Sequence, residues 1–391
     1  MRETADVVVV GGGVIGASIA MNLALKGAGR IILCEKQTIA SGPTGRSSAL
    51  LRRHYSIELY ARMAARSLEI YRDFENLTGL SADIVACGML TLVGPEDYAA
   101  MQTTVGMLRR IGADAEALGV DDLRRMLPIM NTDGVAGAGY DETTGYADPV
   151  AVTNGYVSKG RQLGVEIRQR TLVTALKLSG ERVTGVETER GSIDAGKVVN
   201  AAGVWADRVA RMAGIELPIT ASRVQLASFR VPHGTPQPRV IVGDNISRCY
   251  FRPEGSDLML VGMRSQPGEL SKADPESFQE RIDPERIVKA GELICGRFPV
   301  MEHGDSMGGY ASMYDMSPDG HFIIESVPER PGLITAAGFS GHGFKHSPVI
   351  GQIVAELVCE GKVEDWDIEP FSSRRFASGP PLRGIYKGFA F

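Results

Sequence analysis

A glycine-rich turn between two short apolar runs is the feature that most constrains this chain. The run Asp6-Val-Val-Val-Val10 leads into Gly11-Gly-Gly-Val-Ile-Gly16, and a second run, Ile31-Ile-Leu-Cys34, ends at Glu35. This order predicts a βαβ unit whose first glycine makes the turn and whose second lets backbone N–H groups approach a pyrophosphate. The third glycine permits close helix packing, and the acidic residue accepts a ribose hydroxyl. The residues predicted to bind a dinucleotide here are Gly11, Gly13, Val14, Ile15, Gly16, Glu35 and Lys36.

The composition is that of a globular chain long enough for two domains. Its 391 residues are 43% hydrophobic and 23% charged, which suffices for a large core. The formal net charge of −5 argues against nucleic-acid or anionic-membrane surfaces, because both need an excess of Lys and Arg. We therefore expect small-molecule or protein partners, no nucleic acid and no membrane span.

The cysteines indicate a reducing compartment. The five of them, at positions 34, 87, 249, 295 and 359, form no CxxC pair, and their odd number fits neither a disulfide framework nor a metal site. The apolar run at the N-terminus is too short for a signal sequence or a membrane span, and it follows Glu3 and Asp6. We expect a cytoplasmic protein without a metal.

Hydrophobic periodicity and turn residues place the remaining elements. One long amphipathic helix is expected over residues 56–76, and Asp121 is expected to cap a helix that Pro128 ends. Further helices are predicted over residues 96–111, 151–163 and 348–359, and strands over 88–93, 165–168, 175–188 with a turn at 179–180, 192–200, 249–252 and 257–261.

Two further glycine turns follow later strands. One is Val199-Asn-Ala-Ala-Gly203, and the other is Ala336-Ala-Gly-Phe-Ser-Gly-His-Gly343, directly before the last long helix. Similar turns at both ends of the chain imply one Rossmann-like α/β domain assembled from separated segments. An inserted α+β substrate domain is expected to contain an antiparallel sheet flanked by helices. The predicted ranges are 1–82, 147–214 and 306–375 for the nucleotide domain, 83–146 and 215–305 for the substrate domain, and 376–391 for a C-terminal tail.

The last glycine turn favours FAD over a nicotinamide nucleotide. It can deliver a helix N-terminus to a flavin ring, where the helix dipole stabilises the negative charge that reduction places near N1 and C2=O. A nicotinamide needs no such feature. The residues assigned to this part of the site are Gly338, Gly341, His342, Gly343, Phe344 and Lys345.

Several longer strings resemble the FAD-dependent amine oxidoreductases of the D-amino-acid oxidase superfamily, and especially the sarcosine oxidases and the β-subunit of L-proline dehydrogenase. The resemblance spans nearly the whole chain. It is carried by VVGGGVIG at residues 9–16, GRSSALLR at 45–52, VNAAG at 199–203, SPDGHFII at 317–324 and AAGFSGHGFK at 336–345. It implies FAD contacts also from Thr44, Gly45, Arg46, Ser47, Ser48, Val173, Ala202, Gly203 and Trp205.

The resemblance also implies a site for the substrate carboxylate. Arg52 and Lys345 match the cations that hold this group in the family, and a guanidinium with an ammonium suits a carboxylate. The alternative is that Arg46, Arg52 and Arg53 form a phosphate-facing or solvated basic loop while Lys345 caps its turn, and we prefer this alternative for Arg53 alone. Tyr250 and Tyr314 match aromatic positions that line the pocket, but either could equally be a core tyrosine.

The chain departs from the monomeric oxidases at three positions. Ser312 stands where they have the cysteine that tethers FAD, which implies noncovalent FAD. Residues 144–148 lack the histidine to which a heterotetrameric relative attaches FMN. Leu260 replaces a lysine linked to oxygen reactivity, and Arg264 replaces an active-site histidine. Arg264, with Arg252 nearby, could bind a second anionic group of the substrate, although rim salt bridges are the commoner use of such arginines.

The resulting hypothesis is FAD-dependent oxidation of the C–N bond of an amino acid, with a secondary or N-methyl amine of the sarcosine or proline type as substrate. The electron acceptor would be oxygen, a quinone or a partner protein. The alternatives are a 2-hydroxy-acid dehydrogenase and a flavoprotein subunit of a heteromeric dehydrogenase. A nicotinamide-dependent enzyme or a nucleotide-sensing protein is a more distant alternative. The residues assigned to the reaction are Arg52, Lys345, Tyr250, Tyr314 and Arg264.

Overall fold

The opening apolar run forms a central strand that is buried on both faces. The computed structural model describes residues 3–264, 271–378 and 382–386. In the first strand, Val7 and Val9 face one apolar cluster, while Val8 and Val10 face another on the opposite side of the sheet. Covering elements on both faces require this near-continuous apolar run, as in other parallel sheets.

The strands and helices are numbered in chain order. The strands are β1 (Glu3–Val10), β2 (Ile31–Cys34), β3 (Leu50–Leu51), β4 (Val85–Ala86), β5 (Met89–Val93), β6 (Ala115–Leu118), β7 (Gly137–Asp141), β8 (Gly145–Tyr146), β9 (Glu166–Arg168), β10 (Val173–Ser179), β11 (Arg182–Thr188), β12 (Gly191–Asn200), β13 (Thr220–Arg230), β14 (Ile241–Asp244), β15 (Cys249–Glu254), β16 (Leu258–Met263), β17 (Asp305–Met316), β18 (Ile323–Ser326) and β19 (Leu333–Ala337). The helices are α1 (Val14–Leu25), α2 (Glu58–Arg72), α3 (Phe74–Thr78), α4 (Tyr98–Arg110), α5 (Val120–Met126), α6 (Pro149–Gln162), α7 (Ala206–Arg211), α8 (Pro284–Arg297), α9 (Gly343–Glu360) and α10 (Arg375–Ser378).

The first sheet brings the three predicted glycine turns together. Its path runs β10-β11-β12-β1-β2-β9, and β19 also pairs with β12. The pairs β1·β2, β1·β12, β2·β9 and β12·β19 are parallel, so the carboxyl ends of β1, β2, β12 and β19 lie at one edge. This edge, where connections leave toward both faces, is the usual ligand site of such a sheet. The predicted Rossmann-like fold is confirmed.

The second sheet is the predicted substrate layer. Its order is β17-β13-β16-β15-β14-β5-β7-β6, and its pairs are antiparallel except β14·β5. Helix α8 covers one face with Ala290 and Ile294. Strand β17 belongs to this sheet through its pairing with β13, although most of it falls within residues 306–375, which we assigned to the nucleotide domain. The domain ranges remain a prediction, with β17 moved to the second layer.

Two of the predicted helices differ from the observed ones. The single helix expected over residues 56–76 is divided at Asp73 into α2 and α3. Helix α5 begins at Val120 rather than at a cap on Asp121. Its cap position is Gly119, whose backbone N–H donates to the Asp122 carboxylate at 3.0 Å. The side chain that caps the first turn therefore belongs to Asp122 and not, as we expected, to Asp121.

The last long helix starts earlier than predicted. We placed its start near Pro348, but α9 begins at Gly343 and carries Pro348 in its interior. A proline has no N–H for the carbonyl four residues before it, here that of Phe344. The hydroxyl of Tyr71, on α2, donates to this carbonyl at 2.6 Å. A distant tyrosine therefore allows the helix to extend back to the glycine turn.

Part of the predicted tail packs against the body of the protein. Tyr386 is buried and its hydroxyl hydrogen-bonds the imidazole Nε2 of His54, while Ile385 N–H donates to Ser56 Oγ at 3.1 Å. Residues 379–381 and 387–391 of the predicted tail lie outside the described residues. All five cysteines are free thiols. Within the described residues, none of the helices has both the length and the apolarity of a membrane span. The cytoplasmic location stays a prediction.

Candidate active site

A cavity of about 600 Å³ lies between the carboxyl edge of the first sheet and the face of the second. The first sheet contributes the turns after β1, β2, β12 and β19, and the second contributes side chains of β13, β15, β16 and β17. The sequence-predicted residues that line it are Gly11, Gly13, Val14, Ile15, Glu35, Lys36, Thr44, Arg46, Ser47, Ser48, Arg52, Val173, Ala202, Gly203, Trp205, Tyr250, Arg264, Tyr314, Gly341, His342, Gly343, Phe344 and Lys345. Their individual roles stay predictions.

The turn after β1 has the geometry predicted for a nucleotide site. Gly11 has φ +113°, and a Cβ there would stand 2.4 Å from the carbonyl oxygen of Ala201, so a side chain is excluded. The carboxylate of Glu35 accepts hydrogen bonds from the N–H groups of Gly12 and Gln37, each at 2.7 Å. Glu35 therefore fixes the turn while its carboxylate lines the cavity.

Three predicted glycines serve packing rather than lining the cavity. A Cβ at Gly16 would stand 1.9 Å from the carbonyl oxygen of Gly11, and one at Gly45 would stand 2.5 Å from that of Ala40. A Cβ at Gly338 would contact Ile323 at 3.3 Å. These positions hold the turns in place, and neighbouring residues of the same turns line the cavity.

Two acids near the cavity form ion pairs that the sequence did not predict, and one of them, Glu276, lines the cavity. The carboxylate of Glu276 accepts from the Trp205 indole N–H at 2.6 Å and from Lys36 Nζ at 3.1 Å. Arg208 donates to the same carboxylate at 3.3 Å, and Arg46 pairs with Glu280 at 2.5 Å. Cations assigned to the cofactor site are thus also tied to residues 276–280. No local motif marks these acids, because their partners lie far away in the chain.

The cations predicted to hold a carboxylate lie in the same cavity. Lys345, in the first turn of α9, is 7% exposed. Within the described part of the chain, its Nζ donates one long hydrogen bond, 3.4 Å, to the carbonyl of Gly341. The Arg52 guanidinium donates to the carbonyl of His54 at 2.8 Å and lies over the Tyr55 ring, 4.1 Å from its centre. Among the described residues, neither cation forms a salt bridge with a carboxylate. Arg53 differs, since it is buried in a two-pronged ion pair with Asp141 rather than solvated.

His342 links the last glycine turn to Arg52. Its Nδ1 lies 2.8 Å from the Tyr55 hydroxyl and 3.4 Å from Arg52 Nη2, which can only donate. Nδ1 is thus the acceptor, and we assign the ring proton to Nε2. Burial, together with the charges of Lys345 and Arg52, holds the imidazole pKa well below its ordinary value. A neutral ring therefore orients the arginine.

Burial also changes the basicity of the cations. It lowers the pKa of Lys345 well below its ordinary value, and the charges of Arg52 and Arg264 lower it further. Burial and the Arg52 charge lower the pKa of Arg264 to about 10. An anion entering the cavity would offset this repulsion and favour the charged forms.

The aromatic side chains form part of the wall on the second sheet. Tyr250, on β15, lies across Gly262, where a Cβ would stand 2.1 Å from the ring. Tyr314, on β17, lies against Gly341, where a Cβ would stand 2.9 Å from the ring. Ser312 also lines the cavity. Burial raises the pKa of Tyr250 and that of Tyr314. Their hydroxyls are therefore neutral groups that can donate or accept hydrogen bonds.

The fold and the cavity together define a flavin-dependent oxidoreductase. The profile of the family described as "FAD dependent oxidoreductase" (DAO) matches residues 6–357. The chain belongs to this family, which confirms the resemblance to the D-amino-acid oxidase superfamily. Its cofactor is therefore FAD.

Two of three similar proteins bear the name of a dehydrogenase. The chain is 30% identical to FAD-dependent oxidoreductase domain-containing protein 1 of Xenopus laevis, covering 97% of this chain and 84% of that protein. It is 27% identical to mitochondrial sarcosine dehydrogenase of Mus musculus over 96% of this chain but only 42% of that protein. The crystal structure of L-proline dehydrogenase from P. horikoshii superposes with a TM-score of 0.86, at 26% identity over 96% of this chain and 99% of that chain.

The residues present fit FAD. Helices α1 and α9 both begin at the cavity, and the residues in their cap positions, Gly13 and His342, provide no capping side-chain hydrogen bond. Helix N-termini bind anionic groups through their backbone N–H groups. At α1 the N–H of Val14 donates to the Thr44 hydroxyl at 3.1 Å. A pyrophosphate at the first helix and the flavin ring at the second stay predictions.

Proposed function

We propose that the protein oxidises the C–N bond of an amino acid whose nitrogen is a secondary or N-methyl amine, as in sarcosine or proline. The observation that carries the proposal is the convergence of Arg52 and Lys345 on the cavity at which helices α1 and α9 begin. One buried and one half-buried cation, neither in a salt bridge with a carboxylate among the described residues, match a ligand carboxylate. Two relatives bear the names of such substrates, sarcosine and L-proline.

The chain's own residues position the amino acid. Arg52 and Lys345 hold the carboxylate, and His342 together with Tyr55 keeps the guanidinium in place. Tyr250 and Tyr314 enclose the apolar part of the substrate. Bound FAD would supply the acceptor for a hydride from the carbon next to nitrogen. The neutral amine that loses this hydride becomes an iminium ion, which water hydrolyses. Positioning and electrostatics account for such a reaction without a protein nucleophile.

FAD is bound noncovalently in this proposal. Ser312 lines the cavity with a hydroxyl, which cannot readily replace a cysteine thiolate in a flavin linkage. Residues 144–148, Thr-Gly-Tyr-Ala-Asp, contain no histidine for a second flavin. Precipitation with acid tests this directly, because noncovalent FAD is released to the supernatant. Flavin that remains on the precipitated protein would contradict the assignment.

The activity is tested by anaerobic spectroscopy of the purified yellow protein. Sarcosine, proline and a panel of D- and L-amino acids are added in turn, and loss of the flavin absorbance identifies a reducing substrate. Bleaching by 2-hydroxy acids alone would contradict the proposal and favour that alternative. Oxygen uptake, compared with the reduction of artificial acceptors, then distinguishes an oxidase from a dehydrogenase. Little turnover with any acceptor would favour a role as a subunit that needs a partner.

A further inference from the structure

The wall of the second sheet contains an arginine seated in a space that a glycine provides. Arg264 directly follows β16, and its side chain lies across Gly243 of the nearby strand β14. A Cβ at Gly243 would stand 2.6 Å from Arg264 Nη2, so alanine does not fit without moving the guanidinium. The Nη1 atom donates to the Asn245 side-chain oxygen at 2.7 Å. The guanidinium is therefore fixed at the cavity surface, which it lines.

The neighbouring tyrosine is seated in the same way. Tyr250 lies across Gly262, two residues before Arg264. Isolated glycines inside strands commonly mark places where another group approaches the backbone closely. Gly243 and Gly262 thus make room for one cationic and one aromatic side chain on a single face. A wall with an aromatic and a cationic side chain is complementary to a ligand that has both an apolar and an anionic part.

Three cationic side chains line the cavity. Arg52, Lys345 and Arg264 all belong to its wall, and the charges of Arg52 and Arg264 lower the pKa of Lys345. An anionic ligand offsets the repulsion between like charges that share a buried cavity. One carboxylate between Arg52 and Lys345 leaves Arg264 facing the rest of the substrate.

We propose that the substrate carries a second carboxylate and that Arg264 binds it. This inference rests on the proposed oxidation of an amino acid and specifies its class as an amino dicarboxylic acid. The first carboxylate lies between Arg52 and Lys345, and the second lies at the wall of β14 and β16. The amine between the two carboxylates is held next to the flavin.

Binding is tested first with ligands that cannot be oxidised at nitrogen. Methoxyacetate and diglycolate are the oxygen analogues of a mono- and a dicarboxylate N-substituted glycine, and each perturbs the flavin spectrum when it binds. Diglycolate is expected to bind roughly 10- to 100-fold more tightly, the range that one charge-assisted contact provides. Equal dissociation constants would overturn the inference.

Turnover is tested with isosteric pairs. Both enantiomers of N-methylaspartate and N-methylglutamate are compared with the corresponding N-methylasparagine and N-methylglutamine in anaerobic flavin reduction. The dicarboxylates are expected to reduce the flavin with roughly 10-fold or greater selectivity. Reduction of acids and amides with equal efficiency would overturn the inference and leave the proposed function standing. Absence of reduction by every amine, including sarcosine and proline, would overturn both.

Variants assign the selectivity to Arg264. Arg264→Gln removes the positive charge. Gly243→Ala leaves the charge of Arg264 in place in the sequence but shifts the position of its guanidinium. Each is expected to lower the acid-to-amide selectivity toward one. The matched control is Arg252→Gln, a buried arginine on the adjacent strand that pairs with Glu254 at 3.0 Å. A control variant that loses selectivity as fully as Arg264→Gln would contradict the assignment.

Discussion

Individual side chains determine how the cavity treats charge. Burial and the charges of Arg52 and Arg264 lower the pKa of Lys345, and His342 is held neutral beside Arg52 and Tyr55. A substrate carboxylate would offset the repulsion between the cations of the cavity. The electrostatics of the cavity therefore depend on the ligand, and loss of one cation should weaken binding more than it disturbs the fold.

Removing either cation should weaken substrate binding. Lys345→Met deletes the ammonium, and Arg52→Lys keeps the charge but loses the planar fork. Each is expected to raise the dissociation constant of the amino acid roughly 10- to 100-fold, because a charge-assisted contact is lost. The measurement is anaerobic flavin reduction against substrate concentration. Lys289→Met, at an exposed position on α8, serves as the control. An unchanged affinity in Lys345→Met would show that the lysine only caps its turn.

Asp315 makes stability depend on pH. Burial raises the pKa of its carboxyl from 3.8 to about 6, and Phe339 N–H donates to its carboxylate at 3.0 Å. Because the folded pKa exceeds the unfolded one, its stabilising contribution is present below about pH 4 and is lost as the pH rises through about 6.

The Asp315→Asn variant, which keeps an oxygen acceptor, should lack this loss of stability. Relative to the wild type it is expected to gain roughly 2–3 kcal/mol between about pH 4 and pH 7. Urea unfolding at the two pH values, at one FAD concentration, gives the difference. The same wild-type-to-variant difference at both values would contradict the expectation.

At the scale of elements, helix starts and tail contacts position the site. The sequence predicted most strands, because their apolar runs are bounded by glycines and polar turns. It misplaced the start of α9 at Pro348, since the hydroxyl that satisfies the Phe344 carbonyl comes from Tyr71, far away in sequence. It likewise could not predict that Tyr386 reaches His54, whose carbonyl accepts from Arg52. Contacts between distant segments leave no local pattern to read.

Tyr386 should influence substrate binding through His54. Tyr386→Phe removes the hydroxyl that bonds the imidazole, so the backbone that anchors Arg52 becomes less constrained. We expect KM for the amino acid to rise several-fold with a smaller change in kcat, and the free energy of unfolding to fall by about 1 kcal/mol. The control is Ile385→Ala, because that side chain is 49% exposed. Equal effects of both variants on KM would contradict the positioning role.

At the scale of the whole molecule, both sheets line the cavity, and Glu276, outside both sheets, lines it as well. The sequence predicted the Rossmann-like sheet and its glycine turns, because each of these glycines has a geometric reason. It did not predict the ion pairs of Glu276 and Glu280, nor the role of Gly243 and Gly262, although isolated glycines in strands were a usable signal. Glu276 joins Lys36, Trp205 and Arg208 from separate segments of the chain.

Loss of this junction should speed FAD release. Glu276→Gln removes the charge that holds Lys36 and Arg208 at the mouth, and we expect FAD to dissociate several-fold faster. Because the carboxylate is about half exposed, high salt should speed release from the wild type more than from the variant. The measurement is recovery of FAD fluorescence after dilution, with Glu292→Gln on α8 as the control. Release rates that are equal in wild type and variant would contradict this role.

The most direct test of the central claim compares an amino acid with its neutral amide in anaerobic flavin reduction. The substrate found in the amine panel and its carboxamide differ only at the group assigned to Arg52 and Lys345. We predict that the acid reduces the flavin with at least roughly 10-fold higher efficiency, and that Lys345→Met largely removes this advantage. Equal reduction by acid and amide, or no reduction by any amino acid, would contradict the account.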